Sequence, residues 1–331
     1  MATLYLTEQG SKLKKEGRRL IVEKEGERLL DVPLIKIDSV LIFGNVQLST
    51  QAISVLLESG IRTAFLTQNG RLKGQLAPIK AKNIPLRMAQ FESAHDRNFA
   101  VAIAKSIVKQ KIENSIQVVV NFLHNHPNQE LSEILHQLKQ IIPTLERKTE
   151  TSTILGVEGR ATVLYFNALK QMFRQGLKFS GRNRRPPKDP VNALLSFGYV
   201  LVGNEIQSLL DAIGFDPYIG YLHGIDYGRP SLALDLLEEF RHPLIDRLVL
   251  LLANRRILNP EDFEQRSEGG VFLRKRSQKT FFVHYEKAMT QPIGRQFGNT
   301  CFRDAIRQQA HKLANAIQNR TQYVPFNFYG R

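Results

Sequence analysis

The spacing of apolar and polar positions changes near residue 86. Before it, short apolar or alternating runs rich in β-forming residues dominate: Leu4-Tyr5-Leu6, Arg19-Leu20-Ile21-Val22-Glu23, Val40-Leu41-Ile42-Phe43 and Thr63-Ala64-Phe65-Leu66-Thr67. Gly10, Gly17, Gly26, Gly44 and Gly70 punctuate these runs, and Asn69-Gly70 has the chemistry of a hairpin turn. Ser49 is placed to cap a short helix that runs through Leu57 and stops at Gly60. After residue 86 apolar residues return at helical spacing. The predicted helices cover Phe99 to Phe122, Leu131 to Ile142, Thr153 to Phe173, Pro190 to Ile213, Ser231 to Ala253, Gln278 to Met289 and Phe302 to Gln318. Pro186-Pro187-Lys188-Asp189-Pro190 breaks the run and starts the next helix, and Gly214 to Gly228 is a Gly/Pro-rich loop.

This pattern predicts an α+β fold: a small N-terminal β-rich domain (1–77), a linker (78–90) and a larger all-α C-terminal domain (91–331). Pro78 to Pro85, with Lys80 and Lys82, has poor periodicity and marks the linker. The size and exposed edges of the β domain suggest that it packs against a partner subunit.

Composition adds a partner class. The chain of 331 residues is 42% hydrophobic and 23% charged, ordinary values for a soluble globular protein. Its net charge of +15 and pI near 9.9 are not ordinary, and point to a polyanion. The charge is clustered: residues 170–188 hold seven Lys or Arg and no acid, and residues 271–331 hold eleven against two. The single cysteine, Cys301, excludes an intrachain disulfide and structural zinc of the cysteine-rich kind, and reads as a small buried residue before a helix. The N-terminus lacks a signal-peptide layout, and no apolar run approaches the ~20 residues of a membrane span. The expectation is a cytoplasmic protein with no membrane partner.

Against that basic background stand a few acids and one imidazole. Glu158 lies between two glycines in Gly156-Val157-Glu158-Gly159-Arg160, on one helical face with Thr162 and Tyr165. It has little steric cover, and reads either as a metal or phosphate contact or as a surface acid favoured by a helix N-terminus. His223, in Gly220-Tyr221-Leu222-His223-Gly224, sits in a glycine-rich loop, as a site residue or a structural one. Asp235 and Glu238 are three apart on a helical pattern that Ser231 could cap, either flanking a cation or lying on a solvated face with Arg241. If Glu158, His223 and Glu238 converge, two oxygens and one nitrogen suit Mg²⁺ or Mn²⁺, with room for water and phosphate oxygens. Such an ion would polarise a phosphodiester.

Four motifs make the chain recognisable. They are Gly156-Val157-Glu158-Gly159, Asp189-Pro190-Val191-Asn192-Ala193-Leu194-Leu195-Ser196-Phe197-Gly198-Tyr199, Gly220-Tyr221-Leu222-His223, and Ser231-Leu232-Ala233-Leu234-Asp235-Leu236-Leu237-Glu238-Glu239-Phe240-Arg241. In that order, and over essentially the whole chain, they resemble the family of CRISPR-associated protein one, the spacer-acquisition endonucleases and integrases. The resemblance implies a homodimer with an N-terminal β domain and a helical catalytic domain. It also implies a complex with the small adaptation subunit, CRISPR-associated protein two. The implied reaction is metal-dependent transesterification, in which the 3′-hydroxyl of a captured DNA fragment attacks a phosphodiester at the edge of a CRISPR repeat. The implied metal ligands are Glu158, His223 and Glu238, with Asp235 as a supporting catalytic acid. Many relatives have Asp where this chain has Glu238, so either Asp235 or Glu238 is the direct ligand.

DNA-holding roles fall to Arg160, Arg174, Lys178, Arg182, Arg184 and Arg185, which would neutralise phosphates without reading bases, and to Asn192 as a residue orienting the site or the DNA. Arg274-Lys275-Arg276 with Lys279 is a second basic cluster, DNA-holding or merely solvated. Tyr165 and Tyr199 either stack on a splayed base or pack in the core. A hydrolytic nuclease on branched or single-stranded DNA would use the same site with water as nucleophile. A non-catalytic nucleic-acid scaffold would use only the charge.

Overall fold

The structure is a computed structural model and describes residues 2–68, 70, 72–76, 83–183, 186–266 and 269–329. Asn69 of the expected turn, Lys80 and Lys82 of the expected linker, and Arg184 and Arg185 lie outside these residues. The chain divides into two compact units, Met1–Lys80 and Ala81–Arg331.

The first unit contains β1 (Ala2–Leu6), β2 (Lys12–Glu16), β3 (Arg19–Lys24), β4 (Glu27–Pro33), β5 (Ile37–Phe43), β6 (Gln47–Leu48), α1 (Thr50–Glu58), β7 (Arg62–Leu66) and β8 (Leu72–Leu76). Among the described residues the strands form two four-stranded sheets, ordered β1-β5-β7-β8 and β4-β3-β2-β6. β5 runs parallel to both β1 and β7. It is buried along nearly its whole length, as a strand covered on both faces must be. Ser49 caps α1 as its chemistry requires, its hydroxyl accepting from Ala52 N at 3.1 Å. Leu13, Leu20, Val40, Ala52 and Leu56 join both sheets and the helix in one core.

The second unit is mainly helical. α2 (Ile84–His95) starts inside the expected linker, because Asn83 caps it and Pro85 suits a first turn. It is followed by α3 (Arg97–Asn125), α4 (Gln129–Glu146), α5 (Thr151–Met172) and α6 (Pro190–Ile213). Asp189 caps α6, accepting from Asn192 N at 2.7 Å, and Gly214 closes it at φ 111°. By length and composition α6 could cross a membrane, contrary to the expectation that no segment approaches that size; most of it is buried inside the unit, as a central core helix is.

The single helix expected over Ser231 to Ala253 is three pieces: α7 (Ser231–Leu237), a π-helical turn (Arg241–Asp246) and α8 (Arg247–Asn254). Pro243 is the cause. It has no N–H for the carbonyl four residues back and its ring crowds that carbonyl. Ser231 does not cap α7 either; Pro230 holds that position, and the Ser231 hydroxyl donates to Gly224 O at 2.8 Å. A short antiparallel ribbon, β9 (Phe263–Gln265) with β10 (Val271–Leu273), adds strands to a domain expected to be all-α. Strands of three residues are too short to leave a period. α9 (Lys275–Thr290) and α10 (Phe302–Asn319) complete the unit. Cys301 stands at the N-cap position of α10 without a side-chain capping bond; it is half-buried and its Sγ donates to Asp304 Oδ2 at 3.1 Å.

Candidate metal centre

Glu158 lies on the inner side of α5, where Thr162, one turn on, donates to its Oε1 at 2.8 Å. Glu238 stands just past the last turn of α7, at φ −59° and ψ −29°. Between the two is a residue the motifs do not contain. Lys111 of α3 forms an ion pair with Glu158 and lies 2.7 Å from Glu238 Oε2. Arg241 Nε, brought round by the π turn, lies 3.0 Å from the same oxygen. Glu238 Oε2 and Arg241 Nε are buried and lack a well-aligned hydrogen bond, so these are charge contacts rather than directed bonds. Lys111 is only 5% exposed and Glu238 only 3%.

Electrostatics follow from that arrangement. Burial by itself would raise both carboxyls, since a charged group loses hydration. At Glu238 the nearby Arg241 and Lys111 outweigh burial and hold the carboxyl down to about 2, with a smaller contribution from His223. At Glu158 the Lys111 charge likewise outweighs burial and the repulsion of Glu238, leaving the carboxyl below its usual range. Both acids are therefore ionised at neutral pH.

His223 is held from the opposite side. Its Nδ1 lies 2.7 Å from Asp235 Oδ1, which also accepts from His223 N at 2.9 Å. Asp235 Oδ2 accepts from Tyr221 N at 2.6 Å and Leu222 N at 3.0 Å. Asp235 is fully buried and both its oxygens are saturated by the loop. A proton on Nδ1 facing Asp235 leaves Nε2 as the open nitrogen of a partly exposed ring. Gly220 permits the capture: a Cβ there would stand 2.8 Å from Asp235 Oδ2 and from the Ser231 backbone.

The back of the centre is tied by Asn114, one turn after Lys111. The carbonyl of Glu239, which Pro243 cannot serve, accepts instead from Asn114 Nδ2 at 2.9 Å. The same amide donates to Phe326 O at 3.0 Å, and Asn114 Oδ1 accepts from Phe328 N at 3.1 Å. The Glu239 carboxyl accepts from Tyr323 OH at 2.5 Å and Phe326 N at 2.7 Å. The C-terminal segment thus clamps α3 to the end of α7, with Phe326 stacked on Phe240 at 4.9 Å. Burial is the leading effect on Glu239, whose carboxyl is pushed up to about 7.

The basic residues divide. Lys178 is exposed, and so is Arg174, whose guanidinium lies 3.0 Å from the His126 ring while its backbone N–H donates to Asn254 Oδ1 at 2.9 Å. Arg160 is exposed, but lies about 200° round α5 from Glu158, on the far side of the helix. Arg182 is engaged inside the protein, donating to Asn192 Oδ1 at 2.9 Å and Ser196 Oγ at 3.2 Å, with its guanidinium 5.6 Å from the Tyr199 ring. Asn192 has no exposed surface, so direct contact with DNA is replaced by loop holding: its Nδ2 donates to Gly181 O at 2.8 Å, and its Oδ1 accepts from Asn183 N at 2.9 Å. Arg184 and Arg185 lie outside the described residues. In the second cluster Arg274 Nε donates to Phe263 O of the ribbon at 2.9 Å, and Arg276 to Glu261 O in the turn before it at 3.2 Å. Tyr165 and Tyr199 are core residues. Tyr199 donates to Asp246, and the Tyr165 ring lies 4.1 Å from that of His242.

Among the described residues no three of His, Cys, Asp and Glu close on a common point; the Lys111 ammonium joins the two glutamates instead. The donor set nevertheless fits a divalent ion. Two ionised carboxylates converge on a cation, and an imidazole held through Nδ1 stands near Glu238. Lys111 was absent from the motifs but carried a signal. It occupies the helical stripe of Ala104, Ile107, Val108 and Ser115, all buried, where a cation needs an anionic partner.

The family described as CRISPR associated protein Cas1 matches residues 4–287. A CRISPR-associated endonuclease Cas1 of Moorella thermoacetica is 37% identical over 336 residues, covering 98% of each chain. One from Thermus thermophilus is 35% identical, covering 98% of this chain and 97% of its own. Among solved structures, a CAS1 protein from Thermotoga maritima superposes with TM-score 0.81 at 29% identity, over 96% of this chain and 97% of that one. A chain of a Cas6-RT-Cas1–Cas2 complex gives TM-score 0.84 at 25% identity, over 98% of this chain and 36% of that longer one. A casposase bound to integration product shares the fold, with TM-score 0.86 at 23% identity over 99% of this chain and 93% of its own. With a family match over most of its length and full-length relatives at this identity, the chain belongs to the Cas1 family of CRISPR-associated proteins.

Proposed function

We propose that the chain is a metal-dependent DNA endonuclease and integrase of CRISPR adaptation, acting in the cytoplasm as a homodimer with a Cas2-type partner. The observation that carries this reading is the pairing of Glu158 and Glu238 across one buried cation, beside an imidazole oriented by Asp235. The named activity of the relatives and the Cas1–Cas2 assembly of a structural neighbour support the class and the partner. Glu158, Glu238 and His223 Nε2 would hold Mg²⁺ or Mn²⁺, which supplies Lewis-acid polarisation of a phosphodiester. Asp235 holds the imidazole tautomer and the loop that carries it. Arg241 keeps Glu238 ionised and fixed. Arg174 and Lys178 supply exposed positive charge for the phosphate backbone.

In the proposed reaction the 3′-hydroxyl of a captured fragment attacks a phosphodiester at a repeat edge. A new phosphorus–oxygen bond forms, the old one breaks, and the departing strand keeps a free hydroxyl. In a Mn²⁺ assay with a labelled fragment and a repeat duplex, Glu158→Ala and His223→Ala should abolish strand joining while leaving DNA binding nearly intact. Joining at the wild-type rate by both variants would remove the centre from the reaction. The relatives' name as endonucleases also supports a hydrolytic reading, in which water is the nucleophile. Product analysis separates the two: joined strands for transfer, shortened strands alone for hydrolysis.

A further inference from the structure

Lys111 ion-pairs with Glu158 and Glu238, and among the described residues these are the anions that hold it. The face of α3 that Lys111 occupies offers no replacement, since Glu113 lies about 200° round the helix from it. The neighbouring turns of α3 present buried Ala104, Ile107, Val108 and Ser115, and Asn114 is committed to Glu239 and the C-terminal segment. Two carboxylates with Lys111 and Arg241 make a cluster whose formal charges sum to zero. A divalent ion added without rearrangement would leave four positive charges facing two negative ones in a buried site, which is strongly unfavourable.

We propose that Lys111 is the chain's own stand-in for the metal. It holds the two carboxylates together in the metal-free protein and competes with the divalent ion for them. The proposal rests on the metal-centre reading above. It explains why a cation belongs at that point: without one, Glu158 and Glu238 would repel each other across a poorly hydrated space. It also assigns Lys111 a positioning role, because the carboxylates are kept converged before any metal arrives.

The test is metal binding by the full chain without DNA, followed by calorimetry and by the electron paramagnetic resonance of free Mn²⁺. Lys111→Met should bind Mn²⁺ with Kd lowered by about tenfold or more, since the competing charge is gone. Its metal-free Tm should fall, and Mn²⁺ should raise that Tm by more than it raises that of the wild type. The double variant Lys111→Met/Glu158→Gln has no repelling pair; it should recover the lost Tm and forfeit the gain in affinity. A Lys111→Met protein that binds Mn²⁺ as the wild type does, or more weakly, overturns the stand-in role. If neither wild type nor Lys111→Met binds Mn²⁺, the metal-centre reading itself falls.

Discussion

His223 presents Nδ1 to Asp235 Oδ1 at 2.7 Å, and its own backbone N–H meets the same oxygen at 2.9 Å. One carboxylate therefore fixes both the ring and the loop of the imidazole residue. Asp235→Asn replaces an acceptor oxygen by an amide that faces existing N–H donors. The expected outcome is a stability loss of about 2 kcal/mol in chemical denaturation and a Mn²⁺ affinity lowered by ~10–100-fold. Unchanged Mn²⁺ affinity would mean that Asp235 does not orient the imidazole.

Asn114 compensates for Pro243. Its Nδ2 serves the Glu239 carbonyl at 2.9 Å and the Phe326 carbonyl at 3.0 Å. Asn114→Leu leaves these two carbonyls unserved, and with them the Phe328 N–H and the Gln110 amide that donate to Asn114 Oδ1, at a cost of roughly 4 kcal/mol or more. Hydrogen exchange should quicken at Phe326 and Phe328 first, because the C-terminal segment loses its anchor on α3. Unaltered protection of those amides would show that the clamp does not depend on Asn114.

Glu239 gives stability a pH limb of its own. Burial lifts its folded carboxyl to about 7 from a reference of 4.5, so the folded state holds the proton more tightly than the unfolded one. This stabilisation is complete below the unfolded value and is lost as pH rises through about 7. Its size is on the order of 3 kcal/mol. Glu158 and Glu238 act in the opposite sense: their lowered values stabilise above the unfolded range, and that contribution is lost as pH falls below it, for Glu238 toward about 2. Denaturation at pH 5.5 and 8 should show the Glu239 limb, and Glu239→Gln should flatten it. An identical pH slope in the variant would assign the limb to another group.

Arg174 and Lys178 are exposed, whereas Arg182 is occupied by Asn192, Ser196 and the Tyr199 ring. Replacing Arg174 and Lys178 with Gln should lower the magnitude of the log–log salt slope of DNA binding by about 2. Arg182→Gln should instead act mainly on thermal stability and leave that slope nearly unchanged. Fluorescence anisotropy across a salt titration measures both, and a steep slope change in Arg182→Gln would place that guanidinium on the DNA.

Much of the fold was legible because its signals are local. Ser49 and Asp189 cap helices through bonds to residues three positions on, and Gly214 closes α6. Two departures from the expected elements also have local causes, Asn83 with Pro85 at the start of α2 and Pro243 beyond α7, but what sustains the second is distant. Ser231 to Ala253 keeps helical spacing throughout, yet Pro243 divides it, and the divided form persists because Asn114, 125 residues away from Glu239, satisfies the freed carbonyl.

Within the centre, the motifs placed Glu158, His223, Asp235 and Glu238 as candidates but left the two neighbouring acids undivided. Tertiary structure separates them. Asp235 turns into the loop, where four N–H groups saturate it. Glu238 lies beyond the last turn of α7 and faces Lys111 and Arg241. The reason is physical: a sequence motif records side chains within a few residues of one another, whereas the charge on a buried carboxylate is held by whatever cation the packing brings up. Here that cation comes from α3, 47 positions before Glu158, and only folding puts the two in contact.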